Sequence, residues 1–256
     1  MADRLAGAKL KLDRANEHLD TLEAEIGRYL SGDFYMLVRD DKSDRTIFHL
    51  WIKEEPPPRL SIILGDCAHN LRSSLDHIAW QLILANGETP DKHTAFPILD
   101  RPPRAGLSVL KATRGMSKDA LAVIERVQPY HAGERAPEHF LSFTRELSNT
   151  DKHRTLNLTA AILAGMNTTL FIGEQQHTAI TPGGIFRHRA EVASFPIPSD
   201  VILRDDVKLE SRGDKFVALK DAGPWGDEPI LRLLEEAHRS IRFGLLPQFE
   251  ALPEMH

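Results

Sequence analysis

The stretch HNLRSSLDHIAW, residues 69–80, gathers several side chains that could do chemistry on one predicted helix. It holds two imidazoles, His69 and His77, with Arg72 and Asp76, and it continues into the apolar run IAWQLILA. Imidazoles and carboxylates bind metal ions or transfer protons, and arginine pairs with anions. A surface helix keeps its charges on one face, whereas these polar residues lead directly into turns that are apolar all round. The pattern therefore predicts that both sides of this helix are covered and that its polar side chains face another helix.

A helix predicted over 137–164 supplies charges in matching places. The apolar stripe of that helix consists of Phe140, Phe143, Leu147, Leu158 and Ile162. Asp151 and Arg154 occupy positions within the stripe, where the spacing calls for core residues. Charged side chains are rarely buried without a partner, because removing an ion from water costs several kcal/mol. Both charges are therefore expected to be paired.

The simplest pairing joins the two anomalous helices. We expect Asp151 to face Arg72 and Arg154 to face Asp76, with one of the histidines at 69 and 77 completing a hydrogen-bonded network. In the structural interpretation, this network is a buried ionic lock that fixes the register of the two helices.

A metal site is a second use of the same residues. Asp76 and His77, with Asp151 and His153, would form a carboxylate and imidazole cluster of the kind that helix bundles use. The spacing is unfavourable, because Asp151 and His153 project about 160° apart and His69 lies about 10 Å along the helix from Asp76. The sequence therefore predicts no metal and no other cofactor, and a metal-dependent hydrolase is the lesser alternative.

Composition limits the class of protein. The chain has 256 residues with a formal net charge of −5, so it is not a basic nucleic-acid coat as a whole. Its single cysteine, Cys67, excludes an internal disulfide framework. The first residues are charged and lack the apolar core of a signal peptide, and no run approaches the ~18 apolar residues that span a membrane. We expect a soluble cytoplasmic protein without membrane contact.

Local patterns predict the elements that position the polar residues. The predicted helices cover residues 3–30, 59–85, 105–114, 117–127, 137–164 and 228–243. Aromatic and β-branched runs on either side of a polar tetrad predict a β-hairpin within 31–55, and short alternating runs predict a β-rich insertion over 166–220. The expected fold class is α+β, with one helical-core domain over 1–256 and both β segments packed on a core bundle of long helices.

Two resemblances add to this reading. The run GDCAHNLRSSLDHIAWQL, followed by FPI, QPY and LSNTDKHR, resembles an uncharacterised family of bacterial and phage proteins and implies no established activity. The block from Arg72 to His77 resembles the signature of HEPN domains, in which an arginine and a nearby histidine cleave RNA without metal. The resemblance implies that His77 is a general acid or base in attack by the 2′-hydroxyl, and that Arg72 stabilises charge on the phosphate.

The resemblance also suggests an assembly. Positions 72 and 77 point about 140° apart on a straight helix, so the two side chains would converge at a groove edge or across a homodimer. The leading hypothesis is a HEPN-like, metal-independent ribonuclease in phage defence or stress response, with RNA as substrate. The alternative is a non-catalytic scaffold or binding protein whose Arg, Asp and His network is structural. The accessibility and pairing of Arg72 and His77 separate the two hypotheses.

Overall fold

The computed structural model describes residues 3–104, 106–107, 110–172, 174–180, 185–196, 207–220 and 222–256. The chain divides into two compact units, each assembled from separate stretches. The helical unit comprises Met1–Glu23, Arg59–Asn157 and Ala222–His256, and the β unit comprises Ala24–Pro58 and Leu158–Asp221. The early hairpin and the late β-rich segment, which the sequence predicts as two separate insertions, thus belong to one unit.

Two long helices dominate the helical content, and both lie close to the bounds that apolar periodicity predicts. They are α1, Ala6–Ser31, and α2, Pro58–Ala85. They run antiparallel, because Gly7 of α1 lies against His77 while the thiol of Cys67 lies 3.5 Å from the carbonyl of Ala15. Small residues at these contacts let the two backbones approach closely, and the leucine stripe of each helix is buried.

The remaining helices are short. They are α3, Lys118–Arg126, α4, Phe140–His153, α5, Ile230–Arg239, and α6, Leu246–Glu250, with 3-10 turns at Lys111–Thr113 and Pro129–Glu138. Of the helix predicted over 105–114, residues 105, 108 and 109 lie outside the described residues, and Lys111–Thr113 is a single 3-10 turn. The final predicted helix is present as α5, which continues through a π-helical turn, Ser240–Leu245, into α6.

The bounds predicted for the helix over 137–164 are wrong at both ends. Residues 129–138 form 3-10 turns, and α4 begins at Phe140, where the ring of His139 accepts a hydrogen bond from the amide of Leu141. The helix ends at His153, and Arg154 is already extended. From Leu158 the chain is a long strand, because pairing along both of its edges outweighs a local pattern that also suits a helix.

Helices α2 and α4 nevertheless meet, as the sequence predicts. The contact is at Gly65, where an added Cβ would overlap the carboxylate of Asp151. Thr144 and Ser148, which are also buried on α4, keep that helix narrow on its inner side. A glycine in the middle of a long helix costs stability relative to alanine, and here it makes room for a side chain of the neighbouring helix.

The C-terminal helices close over α1. The ring of His238 contacts the carbonyl of Leu12 at 3.1 Å, and Arg242 donates to the carbonyl of Lys9 and pairs with Asp13 at 3.0 Å. Burial lowers the pKa of His238 below its ordinary value, even though the backbone hydrogen bond opposes that shift. The C-terminal segment is thereby fixed to the start of the chain.

The β unit contains two antiparallel sheets. Strands β1, Tyr35–Asp41, and β2, Thr46–Ile52, form the predicted hairpin, and β2 also pairs with β6, Glu191–Phe195. In the second sheet, β3 pairs along one edge with β7 and along the other with β4 and β5. These strands are β3, Leu158–Ile172, β4, Gln175–Ile180, β5, Ile185–Phe186, and β7, Val207–Leu219.

One apolar cluster joins both sheets of the β unit. It contains Phe48 and Leu50 of the hairpin, Phe195 of β6 and Leu170 of β3, and Phe34 lies in the same cluster. The fold class is therefore α+β, as predicted, with the early hairpin in place. Among the described residues, no helix is both long and apolar enough to cross a membrane.

The contact between Gly65 and Asp151 gives a direct test of the packing of α2 on α4. Gly65→Ala should lower the free energy of unfolding in the wild type, because the new Cβ displaces the Asp151 carboxylate. In an Asp151→Ala background, the same substitution should raise it by up to about 1 kcal/mol, the helix-propensity gain of alanine over glycine. Urea unfolding of all four proteins measures the coupling. Equal effects of Gly65→Ala in both backgrounds would contradict the contact.

Candidate functional site

Arg72 and Asp76 form an ion pair within α2, one turn apart. Nη2 of Arg72 donates to Oδ1 of Asp76 at 2.7 Å, and Nε donates to Oδ2 at 3.2 Å. The side chain of Arg72 is only 16% exposed. The two charges that the sequence assigns to partners on another helix thus pair with each other.

The pair also holds the backbone of an irregular segment, residues 95–100, with the sequence AFPILD. Oδ1 of Asp76 accepts a hydrogen bond from the amide of Phe96 at 2.9 Å, and Nη2 of Arg72 donates to the carbonyl of the same residue at 2.8 Å. The Phe96 ring is buried edge-on against Phe249. Both polar groups of Phe96 therefore find partners where its side chain enters the core.

Two further side chains hold the next residues of the 95–100 segment. Gln128 accepts from the amide of Leu99 and donates to the carbonyl of Pro97, both at 3.0 Å. Arg145 of α4 donates to the carbonyl of Ile98 at 3.1 Å. The segment thus has no hydrogen bonds of a helix or strand to satisfy its peptide groups. Side chains from different parts of the helical unit supply these bonds instead, namely those of two arginines, an aspartate and a glutamine.

A second ion pair ends the segment. Nη2 of Arg145 lies 2.6 Å from Oδ2 of Asp100, whose other oxygen accepts from the hydroxyl of Ser142 at 2.7 Å. Burial disfavours the charged form of Asp100, but these hydrogen bonds outweigh burial and hold the pKa of the carboxyl below its ordinary value. The aspartate is therefore ionised at neutral pH and fixes both α4 partners.

Asp151 faces α2, but it does not reach Arg72. Its carboxylate lies over Gly65, among Asp66 and His69. Burial raises the pKa of Asp151, the charge of Asp66 raises it further, and His69 opposes the shift. The expected pairing of Asp151 with Arg72 is therefore wrong, because Arg72 is engaged by Asp76 and the carboxylate meets α2 nearer its start.

Arg154 and His153 do not join the polar network on α2. Both are exposed, and α4 ends at His153 with Arg154 as its C-cap. The helical phase that predicts Arg154 opposite Asp76 does not extend that far, so this pairing is wrong too.

His77 and His69 are exposed on α2, together with large apolar side chains. The α2 stripe, as we call it, consists of Ile62, Asp66, His69, His77, Trp80 and Leu84. Trp80 is 43% exposed and Ile62 is 58% exposed, so the inference that both sides of α2 are covered is wrong. The His77 ring lies over Gly7, where a Cβ would come within 2.7 Å of Nδ1. Arg72 lies outside this stripe.

The residues described provide no cluster of three His, Cys, Asp or Glu side chains that could hold a metal ion. His18 lies near Asp66 on the neighbouring helix, and burial followed by the charge of Arg14 lowers its pKa. The histidines and carboxylates near Asp151 are thus close enough to influence one another without converging on one point.

Sequence reasoning missed Gln128, Arg145 and Asp100. None falls at an anomalous position in a helical pattern, because Gln128 and Arg145 bind the backbone of a loop and Asp100 lies in that loop. The available signal was the loop itself, since Phe96 and Ile98 are core-type residues in a segment without regular structure. Such a segment needs polar partners for its buried peptide groups.

Comparisons of the chain with protein families, with curated proteins and with solved structures found no match. The resemblance to HEPN domains therefore stays an expectation from the sequence.

The hydrogen bonds to Phe96 make Asp76 important for stability. Asp76→Ala leaves the amide of Phe96 without its acceptor and the guanidinium of Arg72 without its carboxylate, so we expect the free energy of unfolding to fall by about 2 kcal/mol. Arg135→Ala, which breaks an exposed ion pair with Glu138, serves as the control and should change it by less than about 0.5 kcal/mol. Urea denaturation measures both. Similar small losses in the two variants would show that the Phe96 contacts contribute little.

The raised pKa of Asp151 predicts a pH-dependent effect. A carboxyl whose pKa is higher in the folded state favours folding in its protonated form and opposes folding once it ionises. Asp151→Asn should therefore raise the melting temperature at neutral pH. The gain should shrink as the pH falls through the folded pKa and vanish below the ordinary value of 3.8. Thermal melts across this pH range test the expectation, and a gain that does not depend on pH would oppose it.

Proposed function

We propose that this protein works by binding rather than by catalysis, with its helical unit as a rigid scaffold. The observation that supports the proposal is how Arg72 is used. Its guanidinium is neutralised by Asp76, donates to the carbonyl of Phe96 and is largely shielded from solvent. A cation that stabilises a phosphate during cleavage must be free to meet developing charge, and these contacts oppose that role.

The second interior arginine has the same kind of role. Arg145 pairs with Asp100 and binds the carbonyl of Ile98. Both arginines thus stabilise the 95–100 segment, and neither presents a free guanidinium beside His77. A network that holds a loop against several helices preserves the shape of the unit, which is what a binding scaffold requires.

A metal-independent ribonuclease is the second candidate, and the exposure of His77 favours it. An imidazole can transfer protons, and an exposed one is open to a substrate such as RNA. In this candidate a homodimer would bring two copies of the α2 stripe together. That contact would cover Trp80 and Ile62 and supply a second histidine.

A cytoplasmic location suits the only cysteine of the chain. Cys67 is buried, its thiol contacts the carbonyl of Ala15, and burial raises its pKa to about 12. A thiol in this state packs as a small apolar group and does not need an oxidising compartment.

An RNA cleavage assay separates the two candidates. We expect the full chain to leave labelled single-stranded RNA intact in the presence of a metal chelator, because the guanidinium of Arg72 is engaged by Asp76 and by the carbonyl of Phe96. The comparison is with His77→Gln and with His69→Gln, a matched exposed histidine on the same helix, all read on denaturing gels. Cleavage by the wild type that persists in His69→Gln and disappears in His77→Gln would overturn the proposal and establish the ribonuclease.

A further inference from the structure

An exposed tryptophan of the β unit lies among stacking and cationic groups. Trp51 is near the end of β2 and is 37% exposed, with Met36 opposite it on β1. The ring of His188 lies 4.5 Å from the indole, centroid to centroid, and the guanidinium carbon of Arg189 lies 5.3 Å from the indole centroid. His188 and Arg189 are themselves exposed. We call Trp51, His188 and Arg189 the Trp51 platform.

A hydrogen bond fixes the histidine of the platform. Nδ1 of His188 accepts from the backbone amide of Ile52 at 3.1 Å. This bond holds the imidazole in place, where it offers a flat surface beside the indole. The permanent positive charge of the platform is the guanidinium of Arg189.

The backbone of Arg189 adopts a conformation that suits glycine better. Its φ is 70°, a left-handed conformation that side chains other than those of Asn and Asp rarely adopt. The conformation is held by β2, because the amide of Arg189 donates to the carbonyl of Leu50 at 2.7 Å and the amide of Leu50 donates to Ala190. An arginine in such a strained conformation points to a use for its side chain.

Nearby charges leave the cation available. On the same sheet face, Asp40 is paired with Lys42 at 3.0 Å and lies 3.5 Å from His49. Glu191 is exposed on β6, opposite His49, and its charge acts on Arg45. The surface thus combines a stacking face with one guanidinium at its edge.

We propose that the Trp51 platform binds single-stranded nucleic acid, with one base stacked on Trp51 or His188 and an adjacent phosphate held by Arg189. Base stacking on exposed aromatic rings, with arginine at the backbone, is how proteins bind single strands with little sequence preference. A duplex keeps its bases stacked inside, so the platform selects single strands. This inference deepens the proposed binding function by naming its partner, and it rests on that function.

The same residues distinguish this surface from the α2 stripe. Trp80 is exposed to a similar degree, at 43%, but its flanking partners on the stripe are aliphatic side chains, histidines and Asp66. Among the described residues, no cation is found over the ring of Trp80 as Arg189 is over that of Trp51, so Trp80 lacks the phosphate contact. Trp80 is therefore the matched control for Trp51.

The test measures binding of the full chain to a fluorescein-labelled single-stranded oligouridine RNA by anisotropy at low salt. We expect measurable binding that weakens as salt rises, and about tenfold weaker binding in Trp51→Ala. Trp51→Phe, which keeps a stacking ring, should retain most of the affinity. This variant shows whether the affinity lost in Trp51→Ala comes from the missing ring or from misfolding. Trp80→Ala and Arg232→Ala, an exposed cation of α5, should bind as the wild type does.

Arg189→Gly is the most informative variant. Glycine accepts the left-handed conformation, so the melting temperature should stay equal or rise while the affinity for the RNA falls several-fold. No binding at low salt, wild-type affinity in Arg189→Gly, or an equal loss in Trp80→Ala would overturn the platform. The platform would also be overturned if a duplex of the same length, or inorganic phosphate alone, displaced the labelled RNA as effectively as an unlabelled single strand does.

Denaturing gels of the same mixtures show whether the RNA is cleaved, so the binding proposal and the non-catalytic function are tested separately. Intact RNA with binding that depends on Trp51 supports both. Cleavage that depends on His77 overturns the non-catalytic function, while the dependence of binding on Trp51 and Arg189 still decides whether the platform exists.

Discussion

The helical unit depends on hydrogen bonds to one irregular segment. Residues 95–100 bring Phe96 and Ile98 into the core, so their peptide groups leave water without the partners that a helix or strand supplies. Side chains provide those partners instead, and they come from α2, from the turn after α3 and from α4. They are Arg72, Asp76, Gln128 and Arg145. Because each reaches the same short segment, the segment also fixes these elements relative to one another.

Local signals were enough to predict the long helices and the hairpin. The bounds of α1 and α2 follow from apolar periodicity, and β1 and β2 follow from two runs of aromatic and β-branched residues around a polar tetrad. The end of α4 could not be found in this way, because the stretch after His153 suits either structure locally. Its structure is decided by pairing with β7, where Leu158 lies opposite Leu219, and by pairing with β4 and β5. The pairing of β2 with β6 could not be predicted either, because these strands lie far apart in the sequence.

The candidate site shows which part of a charge argument can be made from sequence. Arg72 and Asp76 do need partners, as their positions indicate, and Asp151 does face α2. The predicted partners were wrong, because helical periodicity indicates only which side chains of two helices face each other. The partner that sequence reasoning missed is the backbone of Phe96. It carries no charge and lies outside any helix, so helical periodicity gives no information about its position. Desolvated charges can be satisfied by peptide groups as well as by opposite charges.

The state of each arginine also indicates where binding chemistry belongs. A guanidinium with its donors engaged by a carboxylate and a carbonyl, as at Arg72, must break those bonds before it can meet a ligand, and the broken bonds offset the new ones. Arg189 faces solvent beside an indole, so a phosphate would replace only water. It is also held in a backbone conformation that another residue type would adopt with less strain. The strain indicates that the side chain, rather than the fold, accounts for the arginine at this position. The Trp51 platform is therefore a better candidate for the binding surface than the 69–80 stretch.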